Sequence, residues 1–406
     1  MNILILGNGG RENALARKAL KSPLSNKVYV VPGNTGMDKE LIVKDFDAEN
    51  FDLVFDFCKK ENIELIIVGN ERYLEIGVVD YFDKTDIKIW GPTKQGAKIE
   101  SSKDFAKYIM NKYNVPTAAH HTFATVRPAL EFLDTQSFPV VIKQDGLALG
   151  KGVLVTSSYD EAKQFIIDSF ETNDKVIFEE FLDGEEFSLL CFVNGENYVP
   201  MQPARDYKRA FDNDEGLNTG GMGCFTPVPS VTQSDLDFCY KEVIEKTVKG
   251  LSDENIHYKG ILYAGLIQTK EGLKVIEFNA RFGDPETEVL MEAMNADLVQ
   301  VILDMLDNKV PEISWDNSPV VGVCLATKGY PSSYRKGYDV SINSGIDYYS
   351  MALKDNNGSL VTNGGRVMFV YSKGENFEEA RKNVYEKVSK VKSDGLFYRT
   401  DICKDF

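Results

Sequence analysis

The sequence predicts an α/β protein of more than one domain, with a parallel β-sheet at its N-terminus. A chain of 406 residues is longer than one ordinary core supports, so two to four domains are expected. In residues 1–97, short apolar strands alternate with helical stretches, and these strands are predicted at 2–6, 27–31, 64–68 and 87–90. Such alternation is typical of a parallel sheet that helices cover on both faces.

The composition limits the kinds of partner that the protein can have. Lys and Arg number 46 against 62 Asp and Glu, which gives a formal charge of −16. Because such a surface repels nucleic acid and anionic membranes, we expect neither as a partner, and a phosphate must be held by a local basic site. The six cysteines lack C-x-x-C spacing, so the pattern indicates neither zinc nor a disulfide framework. No basic leader and no membrane-spanning apolar run is recognisable, so a cytoplasmic protein is expected.

A glycine-rich turn, Gly7-Asn8-Gly9-Gly10, follows the first predicted strand. The dinucleotide fingerprint G-x-G-x-x-G fails here, because Glu12 stands at the third glycine position and no acidic residue ends the second strand. The turn therefore argues against a nicotinamide dehydrogenase. Free N–H groups at a helix N-terminus, with Arg11 close by, predict a phosphate seat. A tight turn that binds no ligand fits the same residues equally well.

Residues 274–288, KVIEFNARFGDPETE, begin as a strand and contain the candidate metal ligands. Side chains two apart on a strand share a face, so Val275, Glu277 and Asn279 are predicted to point one way and Ile276 into the core. A carboxylate beside an amide oxygen suits Mg²⁺ that carries phosphates. An edge strand with a solvated polar face explains Glu-x-Asn alone equally simply, so partners elsewhere must decide.

Two lysines in the middle of the chain stand next to phosphate-binding patterns. Lys103 lies in the first turn of a helix for which Ser101-x-x-Asp104 predicts the cap, although a solvated lysine also fits this position. Lys143 ends an apolar strand, and the glycine-rich segment 144–152 leads from it to the next strand. This order predicts a hairpin flap over phosphates, and it is not a Walker A loop. A flexible hairpin tip without a ligand remains the alternative.

Three further segments are candidate binding elements. Residues 176–188 run strand, bend, strand, and the bend could either read an adenine edge or form a solvated acidic turn. The basic cluster 205–209 and the glycine-rich turn 218–223 suit an anionic substrate, with a solvated loop as the alternative. Residues 326–406 are predicted to form a small α/β unit, in which Arg366 follows a glycine turn. For Arg366 we favour a structural role over phosphate binding.

The motifs KQDGLALGKGV, EEFLDGEE, NTGGMG and EFNARFGDPE occur in this order, between GNGGREN near the start and TNGGRV at 362–367. Together they resemble the ATP-grasp superfamily and, within it, the phosphoribosylamine–glycine ligase family. The resemblance implies an ATP-grasp fold with an N-terminal Rossmann-like domain (1–97), an ATP-grasp domain (98–325) with a mobile flap (about 116–180), and a small C-terminal α/β domain (326–406).

The resemblance also implies roles for individual residues. Lys143 and Arg281 would be catalytic, Arg281 would face the reacting carboxylate, and Glu277 and Asn279 would hold Mg²⁺ or Mn²⁺. Contacts to ATP, with Glu179 and Leu182 framing the adenine and Glu186 holding the ribose, are implied for Lys103, Lys143, Gly146, Gly150, Lys151, Gly152, Glu179, Glu180, Leu182 and Glu186. Substrate contacts are implied for Gly9, Gly10, Arg11, Glu71, Asp206, Lys208, Arg209, Asn218, Thr219, Gly220, Gly221, Met222, Gly223, Asp284, Pro285, Glu286 and Arg366.

The implied activity is the ATP-dependent ligation of glycine to 5-phosphoribosylamine through glycyl phosphate, in purine biosynthesis, by a monomer. The chain departs from the family pattern at 70–73, Tyr207, Leu217 and 350–353. These departures lie where the family binds or covers its amine substrate. An ATP-grasp ligase for another amine or carboxylate therefore stays open, as does, more remotely, a non-catalytic nucleotide-binding protein.

Overall fold

An open parallel sheet forms the N-terminal part of the computed structural model, which describes residues 1–147 and 152–406. Its elements are β1 (Asn2–Gly7), α1 (Gly10–Leu20), β2 (Lys27–Pro32), β3 (Ile42–Val43), α2 (Phe51–Glu61), β4 (Ile63–Val68), α3 (Glu71–Ile76), α4 (Val78–Phe82) and β5 (Lys88–Trp90). The strand order is β3-β2-β1-β4-β5 and all neighbours are parallel, which confirms the predicted parallel sheet. Strand order reverses between β1 and β4, so a crevice opens beyond their carboxyl ends.

A second, smaller sheet carries the predicted flap. The chain first forms α5 (Lys98–Ser101), α6 (Lys103–Lys112), β6 (His120–Phe123), α7 (Val126–Leu133), β7 (Val140–Gln144), β8 (Val153–Thr156), α8 (Tyr159–Thr172) and β9 (Val176–Glu179). The strands pair antiparallel in the order β6-β9-β7-β8, so the predicted β7–β8 hairpin is present. Buried residues of α7, α8 and this sheet form their own apolar cluster, which includes Leu133, Ile142, Ile166 and Phe178.

The helix that carries Lys103 begins one residue later than predicted. Ser102, not Ser101, is its N-cap, and the Ser102 hydroxyl accepts a hydrogen bond from the N–H of Phe105 (3.2 Å). The N–H of Asp104 instead donates to Asp145 (3.3 Å), which ties the start of α6 to the end of β7. The predicted capping box is therefore wrong, because Asp145 from the flap satisfies the donor that a local cap would have taken.

A long antiparallel sheet forms the centre of the molecule. The next elements are β10 (Gly184–Asn194), β11 (Asn197–Pro200), β12 (Arg205–Asp206), β13 (Arg209–Phe211), β14 (Glu215–Asn218), β15 (Gly223–Thr226), α9 (Gln233–Phe238), α10 (Lys246–Asp253), β16 (Lys259–Thr269), β17 (Gly272–Asn279), α11 (Glu286–Ala293) and α12 (Leu298–Leu306). A π-helical segment, Cys239–Glu245, joins α9 to α10. Strands β11-β10-β16-β17 form the central sheet, and β17 lies at its edge.

The C-terminal part builds a sheet onto strands from the middle of the chain. Its elements are β18 (Val320–Thr327), β19 (Asp339–Ile342), β20 (Tyr348–Ser350), β21 (Leu353–Asn356), β22 (Ser359–Thr362), β23 (Arg366–Lys373), α13 (Phe377–Val388), β24 (Val391–Lys392) and β25 (Leu396–Phe397). The order β12-β15-β18-β23-β20 joins β15 directly to β18. The predicted domain bound at 325 falls within β18. Among the residues described, no helix is both long and apolar enough to span a bilayer.

Candidate active site

One large cavity of about 900 Å³ lies where the three parts of the chain meet. Predicted site residues from all three parts line it, namely Gly9, Arg11, Glu71, Lys103, Lys143, Gly146, Gly152, Glu179, Glu180, Leu182, Glu186, Asp206, Lys208, Arg209, Asn218, Thr219, Gly220, Glu277, Asn279, Arg281, Asp284, Glu286 and Arg366. The fold therefore brings together residues up to 357 positions apart in the sequence, from Gly9 to Arg366.

The strand that carries the candidate metal ligands contains a β-bulge, which corrects the predicted alternation. The register of β17 against β16 shifts at Ile276, so Leu266 pairs with Val275 and Gly265 with Glu277. Because the extra residue inverts the alternation, Val275 is fully buried while Ile276 lines the cavity beside Glu277. Glu277 and Asn279 share the cavity face as predicted, whereas the placements of Val275 in the cavity and of Ile276 in the core were wrong.

Cations surround Glu277 and keep it ionised. Burial alone would raise the pKa of this carboxyl, but Lys208, Lys143 and Lys103 lower it below its ordinary value. Within the described residues, no protein group donates a hydrogen bond to the Glu277 carboxylate, so its oxygens are free to coordinate an ion. Asn279 adds a neutral oxygen on the same face, which accepts from Arg281 (3.3 Å). An ionised carboxylate next to an amide oxygen fits Mg²⁺ or Mn²⁺.

Two carboxylates hold the guanidinium of Arg281 in place. Its Nε lies 3.2 Å from Glu71 and its Nη2 lies 3.1 Å from Glu100. Burial opposes ionisation of Glu71, yet Arg281 and Arg11 lower its pKa to about 2. Glu100 also accepts from the N–H of Ala280 (2.8 Å), so it fixes both the backbone and the side chain of this segment. Glu100 is not recognisable as a site residue from its sequence position, because only the fold brings it to Arg281.

The first glycine turn is already occupied by a side chain of the protein. The Glu12 carboxylate accepts from the N–H of Gly9 (2.7 Å) and from Nε of Arg11 (2.6 Å). A Cβ on Gly7, whose φ is +142°, would overlap Glu12. The N–H of Gly9 is therefore not free for a ligand, because the Glu12 carboxylate accepts it and packs against the turn. Gly10 faces Glu288 and Met351, behind the cavity wall.

The lysines next to the flap pair with other groups of the protein. Lys143 lies 3.0 Å from Glu179 and donates to the carbonyl of Ile276 (3.2 Å), the residue at the bulge. Lys103 donates to the carbonyl of Gly146 (2.9 Å), and burial lowers its pKa. A third lysine, Lys107, also lines the cavity and lies 3.2 Å from Glu179. The predicted site residues Gly150 and Lys151 lie outside the described residues.

The ribose end of the predicted site is a mixed-charge cluster. Lys208 donates to Glu186 (2.9 Å) and lowers the pKa of that carboxyl. Burial raises the pKa of Asp206 to about 7, although Lys208 opposes the shift. Arg209 donates to the carbonyl of Gly216 (2.9 Å) across the β13–β14 hairpin. Lys208 is thus the cation that links this cluster to Glu277.

The glycine-rich turn 218–223 is shaped by Arg366. This guanidinium lies 2.8 Å from Asp284 and donates to the carbonyl of Gly220 (2.7 Å), so it braces the turn, the structural role favoured from the sequence. Gly221 has a φ of +114° and packs on Pro285, which requires glycine at this position. Of the predicted substrate-binding residues, the structure leaves four more behind the wall, namely Gly221, Met222, Gly223 and Pro285.

The positions that depart from the family pattern have different surroundings. Asn70 lines the cavity and caps α3, whereas Arg72 pairs with Glu49 and Glu75 on the surface. Tyr207 lines the cavity, and its hydroxyl accepts from the N–H of Cys403 (2.9 Å). Leu217 is exposed, and residues 350–353 pack against α1 and the loop after β2, where the N–H of Ser350 donates to Asn13 (2.8 Å). Of these segments, Asn70, Glu71 and Tyr207 line the described part of the cavity.

Comparison with known proteins agrees with this architecture. Family models for the N, ATP-grasp (A) and C domains of phosphoribosylglycinamide synthetase match residues 1–100, 101–287 and 320–405. The phosphoribosylamine–glycine ligase of Lactococcus lactis is 46% identical over 407 residues, which cover 99% of each chain. The chain belongs to the phosphoribosylamine–glycine ligase family. The ligase of Halalkalibacterium halodurans is similar as well, with 44% identity over 99% of this chain and 96% of its own.

Solved structures place this family member in the ATP-grasp fold. The crystal structure of phosphoribosylamine–glycine ligase from Thermotoga maritima matches with a TM-score of 0.87 and 34% identity, over 99% of this chain and 100% of that chain. The biotin carboxylase domain of 2-oxoglutarate carboxylase from Hydrogenobacter thermophilus, solved with MgADP, matches with a TM-score of 0.73 over 98% of this chain and 91% of that chain. At 14% identity, this second likeness shows the fold alone. The predicted family and fold class are confirmed.

Proposed function

We propose that the protein ligates glycine to 5-phosphoribosylamine with ATP, giving glycinamide ribonucleotide, ADP and phosphate, in de novo purine biosynthesis. Membership of the ligase family supports both an enzymatic role and this reaction. The observation that carries the assignment to this cavity is the shared face of Glu277 and Asn279, beside Lys143 and Arg281. A carboxylate and a phosphoryl group can approach each other only where cations offset their charges.

The carboxylate of glycine is a poor acylating group, so it must first be activated. One of its oxygens attacks the γ-phosphorus of ATP, the bond to the β,γ-bridging oxygen breaks, and glycyl phosphate and ADP form. The amine nitrogen of 5-phosphoribosylamine then attacks the carbonyl carbon. The C–O bond to phosphate breaks, phosphate leaves and the nitrogen releases a proton. Each step exchanges one bond for another, so no redox partner is required.

Different residues of the cavity have different roles in the first step. Arg281, held rigidly by Glu71 and Glu100, would face the glycine carboxylate and reduce its repulsion from ATP. Lys143 and Lys103 would bind the phosphates of ATP. Glu277 and Asn279 would hold Mg²⁺ or Mn²⁺, which when bound offsets phosphate charge and orients the phosphates. The flap from β7 to β8 would keep water from glycyl phosphate.

The remaining residues are assigned to the two ends of the cavity. Glu179, Glu180 and Leu182 would contact the adenine, and Glu186 would hold the ribose of ATP. The phosphoribosyl group would lie against the turn 218–220, with Lys208 and Arg209 as its nearby cations. We also propose that the chain is divided into domains 1–97, 98–325 and 326–406. The protein is proposed to act as a monomer in the cytoplasm.

A substrate-omission assay tests this proposal. ADP release is measured with ATP and Mg²⁺ in the presence of glycine and 5-phosphoribosylamine, and with each left out in turn. We expect full turnover only when both are present. Replacement of glycine by alanine, and of the ribosylamine by other primary amines, covers the alternative that Asn70 and Tyr207 alter substrate choice. Robust turnover with another pair, and none with this one, would overturn the substrate assignment.

A further inference from the structure

Lys107 is a buried cation in the cavity wall to which the proposed reaction gives no role. It lies in the middle of α6 with 2% of its surface exposed. Its ammonium group donates to the hydroxyl of Thr117 (2.9 Å) and lies 3.2 Å from Oε2 of Glu179. Lysine is rarely buried to this degree without a specific partner. The position of Lys107 is therefore set by Glu179 and Thr117.

Two ammonium groups share one carboxylate oxygen at this point. Oε2 of Glu179 lies 3.2 Å from Lys107 and 3.0 Å from Lys143, and all three side chains are at most 5% exposed. One buried carboxylate needs only one close cation to balance its charge. The second cation is therefore free to act on another anion without leaving Glu179 unpaired.

The surroundings of the two lysines indicate which one stays paired with Glu179 and which one is free to bind another anion. The hydroxyl of Thr117 donates in turn to the carbonyl of Val275 (2.7 Å), which fixes the Lys107 end to the strand. Lys143 instead contacts the carbonyl of Ile276 at the bulge and acts electrostatically on Glu277. Lys143 thus faces the side of the cavity proposed for phosphate and metal, while Lys107 interacts electrostatically with Glu179 and Glu180.

We propose that Lys107 is a positioning residue, the counter-ion that holds the Glu179 carboxylate in place when Lys143 engages the nucleotide, so that the cavity selects a purine with a 6-amino group. This inference rests on the proposed function, because it assumes that Glu179 meets the base of a nucleoside triphosphate. Val141, which is paired with Glu179 across β7 and β9, and Met110 of α6 supply apolar walls at this end.

The selection follows from the donor and acceptor properties of the carboxyl group. An ionised carboxylate only accepts hydrogen bonds, so it pairs with the 6-amino group of adenine and repels the 6-oxo group of guanine. Without Lys107, Lys143 is the one close cation left to Glu179 among the described residues, so the carboxylate has no cation to hold it against the base when Lys143 engages the phosphates. The contact to the 6-amino group is then weakened, and the preference for ATP over GTP falls.

The test compares the affinities for ATP and GTP in the full chain with Mg²⁺, without the amine substrates. We expect Lys107→Met to lower the ratio of ATP to GTP affinity by about tenfold or more, as for a lost hydrogen bond to a charged group. Lys112→Met is the matched control, because Lys112 lies on the same helix and also pairs with a glutamate, Glu254 (2.6 Å), but on the surface. The control should keep the parental ratio.

Two further variants separate this role from a purely structural one. Lys107→Arg restores the positive charge and should recover most of the parental ratio. In Glu179→Gln the ratio should already be low, and adding Lys107→Met should lower it no further. A parental ratio in folded Lys107→Met, even with a lower melting temperature, would overturn the inference, as would a low ratio in Lys107→Arg equal to that in Lys107→Met. If the parent protein binds neither nucleotide, the proposed function itself fails.

Discussion

Glu277→Gln removes the one ionised ligand of the candidate metal site while it preserves the shape of the side chain. Asn279 is neutral, so the variant leaves Mg²⁺ with oxygen dipoles alone on this face. Lys208, Lys143 and Lys103, which now lower the pKa of Glu277, would then face the ion without that carboxylate. We expect turnover to fall by about 10²-fold or more, which corresponds to about 2.7 kcal/mol of lost transition-state stabilisation.

The assay measures ADP release against Mg²⁺ concentration, alongside the melting temperature of each variant. The parent should saturate with Mg²⁺ at a lower concentration than Glu277→Gln. Because the same lysines favour the ionised form of Glu277, the variant should also lose a small part of its stability without Mg²⁺. Asn279→Asp should change the preference between Mg²⁺ and Mn²⁺ more than it changes the melting temperature.

A matched control shares the hairpin but not the cavity. Glu271 lies in the turn before β17, its side chain is 75% exposed, and it pairs with Lys274 (3.0 Å). Glu271→Gln should leave turnover and its Mg²⁺ dependence at the parental level, because exposed pairs contribute little. Near-parental activity of Glu277→Gln at low Mg²⁺ would refute the metal site on this face.

Three further predictions test other parts of the account. Burial and Asp284 raise the pKa of Glu288, so the folded protein binds a proton that the unfolded chain releases, and its stability falls as the pH rises above 4.5. Glu288→Gln should therefore raise the melting temperature by more at pH 8 than at pH 5, and an equal change at both would contradict this. Glu100→Gln should reduce kcat/KM by about tenfold, because Arg281 loses one of its two carboxylates; unchanged kcat/KM would show that Glu71 suffices. Hydrogen exchange across β7 and β8 should slow with ATP and Mg²⁺, and unchanged exchange under saturating nucleotide would argue against a covering flap.

Local patterns allowed much of the architecture to be predicted. The alternation of strands and helices in residues 1–97 gave the parallel sheet, and the glycine-rich segment after Lys143 gave the hairpin. The dinucleotide fingerprint fails at Glu12, which argued against a nicotinamide dehydrogenase. The residue that broke the motif turned out to fill the turn, which sequence spacing alone does not reveal.

The remaining errors arose where distant contacts override local signals. The bulge at Ile276 inverts the alternation that was assumed for Val275, and it depends on the register with β16. In the sequence, Glu100 and Lys107 resemble ordinary helix residues. Glu100 pairs with Arg281, which lies 181 positions away, and Lys107 pairs with Glu179, which lies 72 positions away. A lysine at a position on the apolar face of a short amphipathic helix is the sequence signal that could have singled out Lys107 in α6.

The central claim is that the cavity activates the carboxylate of glycine by phosphorylation. Glycine labelled with ¹⁸O in both carboxylate oxygens tests this most directly, with ATP, Mg²⁺ and 5-phosphoribosylamine as the other reactants. The amide product keeps one labelled oxygen, and the attack on the γ-phosphorus carries the other into the released phosphate. We predict one ¹⁸O atom per phosphate, measured by mass spectrometry or by the ³¹P isotope shift. Product formed together with unlabelled phosphate would contradict the account.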